Sequence, residues 1–113
     1  MAGLPLNTFK NIPAGITTTP TVVYTAPLGI TTIVLMAQAA NIISTQATVS
    51  FLHYSYRTAK TTYLVKDLIV PPQDARLLLA GKLVLETGDQ ISISANTNNA
   101  LQFMASILET ANQ

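Results

Sequence analysis

The chain has no cysteine, no tryptophan and a single histidine among its 113 residues. Without cysteine there are no disulfides, no thiolate nucleophiles and no thiolate metal sites. Charge is also scarce. Asp, Glu, Lys and Arg make up 10% of the chain, against roughly 25% in an ordinary soluble domain. Polar surface must therefore come from uncharged side chains, above all the sixteen threonines. Threonine favours pleated, half-exposed positions, so this composition suits a β-protein. Weak charge also gives little protection against association. The net charge of +1 points to neither a nucleic-acid nor an acidic partner. The halves differ. Residues 1–66 carry Lys10, Arg57, Lys60 and Lys66 and no acid, whereas all five acids follow residue 66. Strands from both halves would interleave in a small β-fold, so this is no separate basic domain.

Long apolar runs are missing as well. "IVLMAQAANII" is interrupted by Gln38 and Asn41 and falls far short of the roughly 20 residues that span a bilayer. "MAGLPLNTFKNIPAG" has no basic segment leading into an apolar run. The expectation is a soluble chain made and used without translocation.

No helical pattern persists. Gly, Pro, Asn and Thr clusters break the sequence about every ten residues, which is the rhythm of an all-β sandwich or barrel. Residues 1–20 read as an extended arm rich in Pro, Gly and Thr, an edge strand at best, because proline cannot donate to a ladder. In the arm Leu4, Leu6, Phe9 and Ile12 are the candidate contacts with a neighbour. Residues 21–113 form the domain. Strands are expected over 21–26, 30–41, 47–56, 61–70, 76–86, 88–96 and 101–109, with the long 76–86 segment dividing at Gly81. Seven or eight strands make an antiparallel two-sheet β-sandwich, with a jelly roll as the first topology. An immunoglobulin-like sandwich comes second, because the Trp and Cys pair are missing. The 30–41 strand is apolar on both parities, Ile33 and Leu35 on one, Val34 and Met36 on the other. It is either a central core strand or a strand with one core face and one subunit-contact face.

The stretch "FLHYSYRTAKTTY" (51–63) gathers three of the four tyrosines and the only histidine. Alternation turns Phe51 and His53 inward and Tyr54 and Tyr56 outward, with Arg57 and Lys60 in the hairpin connection. Nucleophilic catalysis needs a nucleophile, a base and an orienting group. His53 lies on the parity of Val49 and Phe51, which suits a structural side chain better than a base, and no motif marks a partner for it. Glu86 and Asp89 flank a glycine turn. They are a paired-carboxylate candidate, but charged residues linking two strands explain the same letters. No metal-ligand spacing, phosphate loop or dinucleotide fingerprint is present, so no cofactor is expected. Tyrosines beside cations can grip single-stranded nucleic acid, but this chain lacks the charge that supplies most such affinity. Tyr and Arg are also enriched at protein interfaces. Tyr54, Tyr56, Arg57, Lys60 and Tyr63, with Val34 and Met36, are therefore the candidate contact residues. A Tyr-rich face that binds carbohydrate is the alternative.

Two segments carry a resemblance: "VVYTAPLGITTIVLMAQAANI" and "TTYLVKDLIVPPQDARLLLAGKLVLETGDQISISAN", the latter followed by "LQFMASILE". Over about residues 22 to 109 the order of entry turn, apolar strand, "LVKD", "IVPP" and "GKLVLE-GD" turn resembles small β-sandwich virion structural proteins of tailed bacteriophages, especially cyanobacterial phages. "PPQDA" and "AGK" stand where such proteins commonly carry "PAGSS" and "GGK", both in loops. The resemblance implies a non-enzymatic protein located in the virion. Its partners would be further copies of itself, in a homotrimer, and other virion proteins such as the major capsid protein. Decoration (cement) of the shell is the first implied role. A neck, tail, baseplate or fibre component is the second.

Overall fold

The computed structural model describes residues 7–111. Among them are nine strands and no helix. They are β1 (Asn7–Gly15), β2 (Thr21–Thr25), β3 (Ile30–Asn41), β4 (Ala47–Ser55), β5 (Lys60–Val70), β6 (Ala75–Leu77), β7 (Leu83–Leu85), β8 (Gln90–Ala95) and β9 (Leu101–Ala111). One sheet runs β1-β9-β3-β6, with β7 also on β3, and the other runs β2-β8-β4-β5. Every pairing is antiparallel. With β6 and β7 counted as one interrupted strand, this is the jelly-roll order, in which the chain repeatedly crosses between two packed sheets. Leu4 and Leu6 lie outside the described residues.

The inward parities of the two sheets form the core. Val34, Ala37, Ala39, Phe103, Ala105 and Ile107 come from the first sheet, and Val49, Phe51, Ile91 and Ile93 from the second. Large rings meet small partners: Phe51 and Phe103 approach across the sandwich with centroids 5.7 Å apart, and alanines on β3 and β9 make room for them. A register shift between Val34 and Met36 lets β3 change parity, so Val34 and Ala37 both point inward. This bulge corrects the expectation for Val34. It is wholly buried in the chain's own core and cannot be a subunit contact.

The arm is integrated into the sheet. Residues 7–15 pair with β9 in unbroken register, and Ile16 is buried. Ile12 packs against the chain's own core, so it is not available to a neighbour. Phe9 is 72% exposed. The 76–86 segment divides as expected, with residues 78–82 separating β6 from β7.

Two buried acids continue the inward parities. Asp89 precedes Ile91 by two positions, and Glu109 follows Ile107 by two. Glu109 accepts a hydrogen bond from the Tyr24 hydroxyl and pairs with Lys10 Nζ at 2.9 Å. The Tyr24 hydroxyl also meets Thr32 Oγ1 at 2.8 Å. This polar chain ties β1, β9 and β3 of one sheet to β2 of the other. Burial pushes the Glu109 carboxyl up, but hydrogen bonds from Lys10 and Tyr24 outweigh it and hold the group below its ordinary value. Burial, and then the bond to Glu109, push the Tyr24 hydroxyl well up, so it stays a donor.

Candidate functional site

Residues opposed in antiparallel strands share a face, so the register assigns each sheet its outer surface. On the first sheet β3 contributes Ile33, Met36, Gln38 and Ala40 to this surface. Met36 opposes Ser106, Gln38 opposes Met104 and Ala40 opposes Gln102. Across β3, Leu77 opposes Gln38 and Val84 opposes Ile33. They are 66% and 55% exposed. On the other flank Phe9 opposes Leu108, Asn11 opposes Ser106 and Pro13 opposes Met104. Ser106 Oγ donates to Asn11 Oδ1 at 3.0 Å, which confirms that these side chains share one side. Leu35, at the bulge, lines a shallow trough of about 260 Å3 with Phe9, Asn11 and Ser106. A larger hollow of about 540 Å3 lies beside it, lined in part by Pro13, Gln38, Ala40, Gln102 and Met104. Lys10 also lines the trough, with its ammonium on Glu109, but no other Lys, Arg, Asp or Glu lines either hollow. Solvent faces of antiparallel sheets are ordinarily polar, and a large exposed apolar patch marks an interaction surface.

The second sheet is built differently. Its outer face is centred on hydroxyls and an amide: Ser50 opposes Ser94, Leu52 opposes Ser92 and Tyr54 opposes Gln90. Tyr63 opposes Leu52 and is 53% exposed, with Lys66 Nζ 5.2 Å from its ring centroid. Tyr54 and Tyr63 thus share a face that is polar at its centre and carries a cation, with exposed Val22 and Ile69 on its flanking strands. Tyr56 lies beyond the end of β4, 68% exposed. Its ring sits over Gly88, where an added Cβ would come within 2.9 Å of Tyr56 Cγ. Gly88 also holds φ at +83°, a region that favours glycine. Arg57 leaves the turn to bind Glu86 through two nitrogens, at 2.9 and 3.2 Å. The hydrogen bonds and charge of this pairing raise the guanidinium and lower the carboxyl from their ordinary values. Lys60 opens β5 and is exposed.

No sequence motif marks a partner for His53, but the fold supplies one. Its Nε2 lies 3.1 Å from Asp89 Oδ2. Asp89 is 2% exposed and also accepts the Tyr56 N–H at 3.0 Å and the Glu86 N–H at 3.0 Å. Its carbonyl accepts the Ala26 N–H at 2.8 Å. Through its carboxylate and its backbone carbonyl Asp89 therefore fastens three chain segments at one end of the sandwich, around a groove of about 300 Å3 that includes Leu28, Tyr56 and Thr87. A carboxylate already satisfied by two backbone donors has a structural task. In the sequence Asp89 reads as a charged turn residue beside Glu86, and its burial and its bond to His53 do not show there. Its parity with Ile91 and Ile93 was the available signal. Among the described residues no group of three or more His, Asp or Glu could hold a metal ion. No helix among them is long and apolar enough to cross a membrane.

No family model matches the chain, and no curated protein matches it. Solved structures do share its fold. A subunit described under "Bacillus endospore appendages form a novel family of disulfide-linked pili" is 12% identical with a TM-score of 0.56, covering 100% of this chain and 98% of that one. A chain of infectious bursal disease virus, Gx strain, is 9% identical with a TM-score of 0.57, covering 95% of this chain and 32% of that one. The D431N mutant VP2 protein of the same virus, from derived T=1 particles, is 7% identical with a TM-score of 0.51, covering 94% and 32%. The chain thus spans about a third of these two viral chains and nearly all of the appendage subunit. At such identities the likeness is one of fold: an all-β, two-sheet sandwich.

Proposed function

We propose that this chain is a non-enzymatic structural subunit that works by assembly in a virion, with the outer face of the first sheet buried against further copies of itself. The uncharged apolar character of that face carries the reading. A solvated sheet face with Ile33, Met36, Leu77, Val84, Met104 and Leu108 and no charge is costly to leave in water. The fold shared with a viral protein found in T=1 particles supports it. So does the sequence resemblance to small virion proteins of tailed bacteriophages. The finer role we propose is decoration of a phage shell as a trimer bound to the major capsid protein. A protein that binds only the assembled shell stabilises it by mass action.

A second reading, a neck, tail, baseplate or fibre component, has its own support. The likeness to the pilus subunit extends over nearly the whole of both chains, so this fold can serve as a filament repeat, there with disulfide links that this cysteine-free chain would replace by non-covalent contacts. In both readings Tyr54, Tyr63 and Lys60 lie at the rim or face solvent, and Met36 and Phe9 belong to the contact. Light scattering of the purified chain over a concentration series tests the proposal. Stable trimers or larger closed species are expected. A monomer at every concentration would overturn it.

A further inference from the structure

The first sheet ends at β1, and among the described residues no strand lies against its outer edge. The direction of its free hydrogen-bonding groups follows from two bonds. The Ile16 N–H donates to the Leu101 carbonyl at 3.2 Å, and on the far side of β9 the Ile42 N–H donates to the Ala100 carbonyl at 2.9 Å. Carried through the unbroken β1–β9 register, these bonds turn Thr8, Lys10, Ile12 and Ala14 toward β9. Asn7, Phe9, Asn11, Pro13 and Gly15 then present their backbone groups away from the sheet. Pro13 falls in the outward set, so its missing N–H costs the ladder nothing.

The other edges are blunted in the ways natural sheets use against strand addition. β6 and β7 have three residues each. β2 has five and an irregular register. β5 has two register shifts, carries Lys60 and Lys66, and holds Asp67 at φ 51°. Residues 7–11 of β1 have none of these devices. Their one charge, Lys10, belongs to the inward parity and is bound to Glu109.

We infer that β1 pairs antiparallel with β1 of a second copy, about a two-fold axis at Phe9, a contact that a three-fold axis cannot make and that therefore joins a subunit of one trimer to a subunit of the next. This inference rests on the assembly reading and names the partner of the sheet's edge. With Phe9 opposite Phe9, Asn7 meets Asn11, and all three outward residues of each strand exchange N–H and carbonyl groups with the other copy. The pairing is self-complementary in charge, because Lys10 opposes Thr8 and not another lysine. The two exposed Phe9 rings become a cross-strand aromatic pair, a favourable combination. Pro13 limits the contact, since the next outward position beyond Asn11 has no donor. Joined in this way, two first sheets present one continuous apolar outer face.

Amide hydrogen exchange of the intact chain, read by NMR below and above the concentration at which it associates, tests the pairing. The Lys10 and Ile12 amides, bonded to β9, are expected to be protected at both concentrations. The Phe9 and Asn11 amides are expected to exchange freely when dilute and at least about tenfold more slowly on association. Phe9→Pro removes one outward donor from each copy, and the ring pair with them, without touching a β1–β9 bond. It should weaken association at least about tenfold while the melting temperature of the dilute chain stays close to wild type. Association with fast-exchanging Phe9 and Asn11 amides overturns the pairing and leaves the assembly reading standing. A chain that stays monomeric overturns both. If Phe9→Pro fails to fold, the wild-type exchange pattern still decides.

Discussion

The two outer faces of this sandwich are made by the same alternation of strand residues, yet they differ in kind. On the first sheet the outward positions of β3, β9, β6 and β7 are aliphatic or thioether side chains among a few amides and hydroxyls. On the second sheet β8 turns only Gln90, Ser92 and Ser94 outward, and Lys66 lies over Tyr63. Both sheets bury an apolar inner face, so core packing does not require the difference. Thr, Ser and Gln, with Lys66 over Tyr63, keep the centre of the second face in water, and its exposed apolar residues, Val22 and Ile69, stand on the flanking strands. The first face has too little polarity for that role. A small chain with 10% charged residues places those charges at ends, turns and edges and leaves one broad face without them. The distribution of polarity, more than the amount, separates a surface to be covered from one to be left open.

The largest expected effect sets a lysine on each face in turn. Ile33→Lys should weaken self-association by more than about a hundredfold, since an unpaired charge inside an interface costs several kcal/mol. Ser92→Lys should change it by no more than about twofold. Sedimentation velocity reads both, and equal losses would break the distinction between the faces. Next is Asp89→Ala, which alters neither face but strands the Tyr56 and Glu86 N–H groups and His53. A loss of about 2–4 kcal/mol in denaturant unfolding is expected, with association of the folded fraction unchanged.

A smaller effect comes from the Lys10–Glu109 pair. The Glu109 carboxyl is held below its ordinary value of 4.5. Its contribution to stability is therefore present above that value and is lost as pH falls through the lower folded value. Lys10→Met removes the countercharge. Thermal melts at a series of pH values should then show the acid loss beginning at higher pH than in the wild type. A midpoint shift that is the same at every pH would contradict this. Arg57→Ala should have the smallest effect, because an exposed ion pair contributes little. Its melting temperature and association should match the wild type.

The strands were legible because their periodicity is plain. Residues 30–41 form β3 as expected, and Ile91 and Ile93 face in while Ser92 and Ser94 face out. The double apolar parity of β3 was visible too. Which residues served which face was not, because one bulge between Val34 and Met36 exchanges the parities, and a bulge leaves no distinctive letter. The prolines of residues 1–20 suggest a separate arm, yet a single proline with its nitrogen directed outward leaves the β1–β9 ladder intact. Asp89 and Glu109 were each the next step of an inward parity. Acids at strand ends are ordinarily solvated, and only the three-dimensional position of Lys10, Tyr24 and His53 makes burial tolerable. The tyrosine-rich stretch drew attention by composition, but its rings divide between a polar sheet face and a glycine turn.

Hydroxyl-radical footprinting with mass-spectrometric readout, on dilute and assembled chain, compares the two faces in one measurement. Met36 and Met104 report the first sheet, and Tyr54 and Tyr63 report the second. Assembly should protect both methionines several-fold and leave the two tyrosines labelled as in the dilute chain. Protected tyrosines with methionines still fully oxidised would place the contact on the other face and contradict the account.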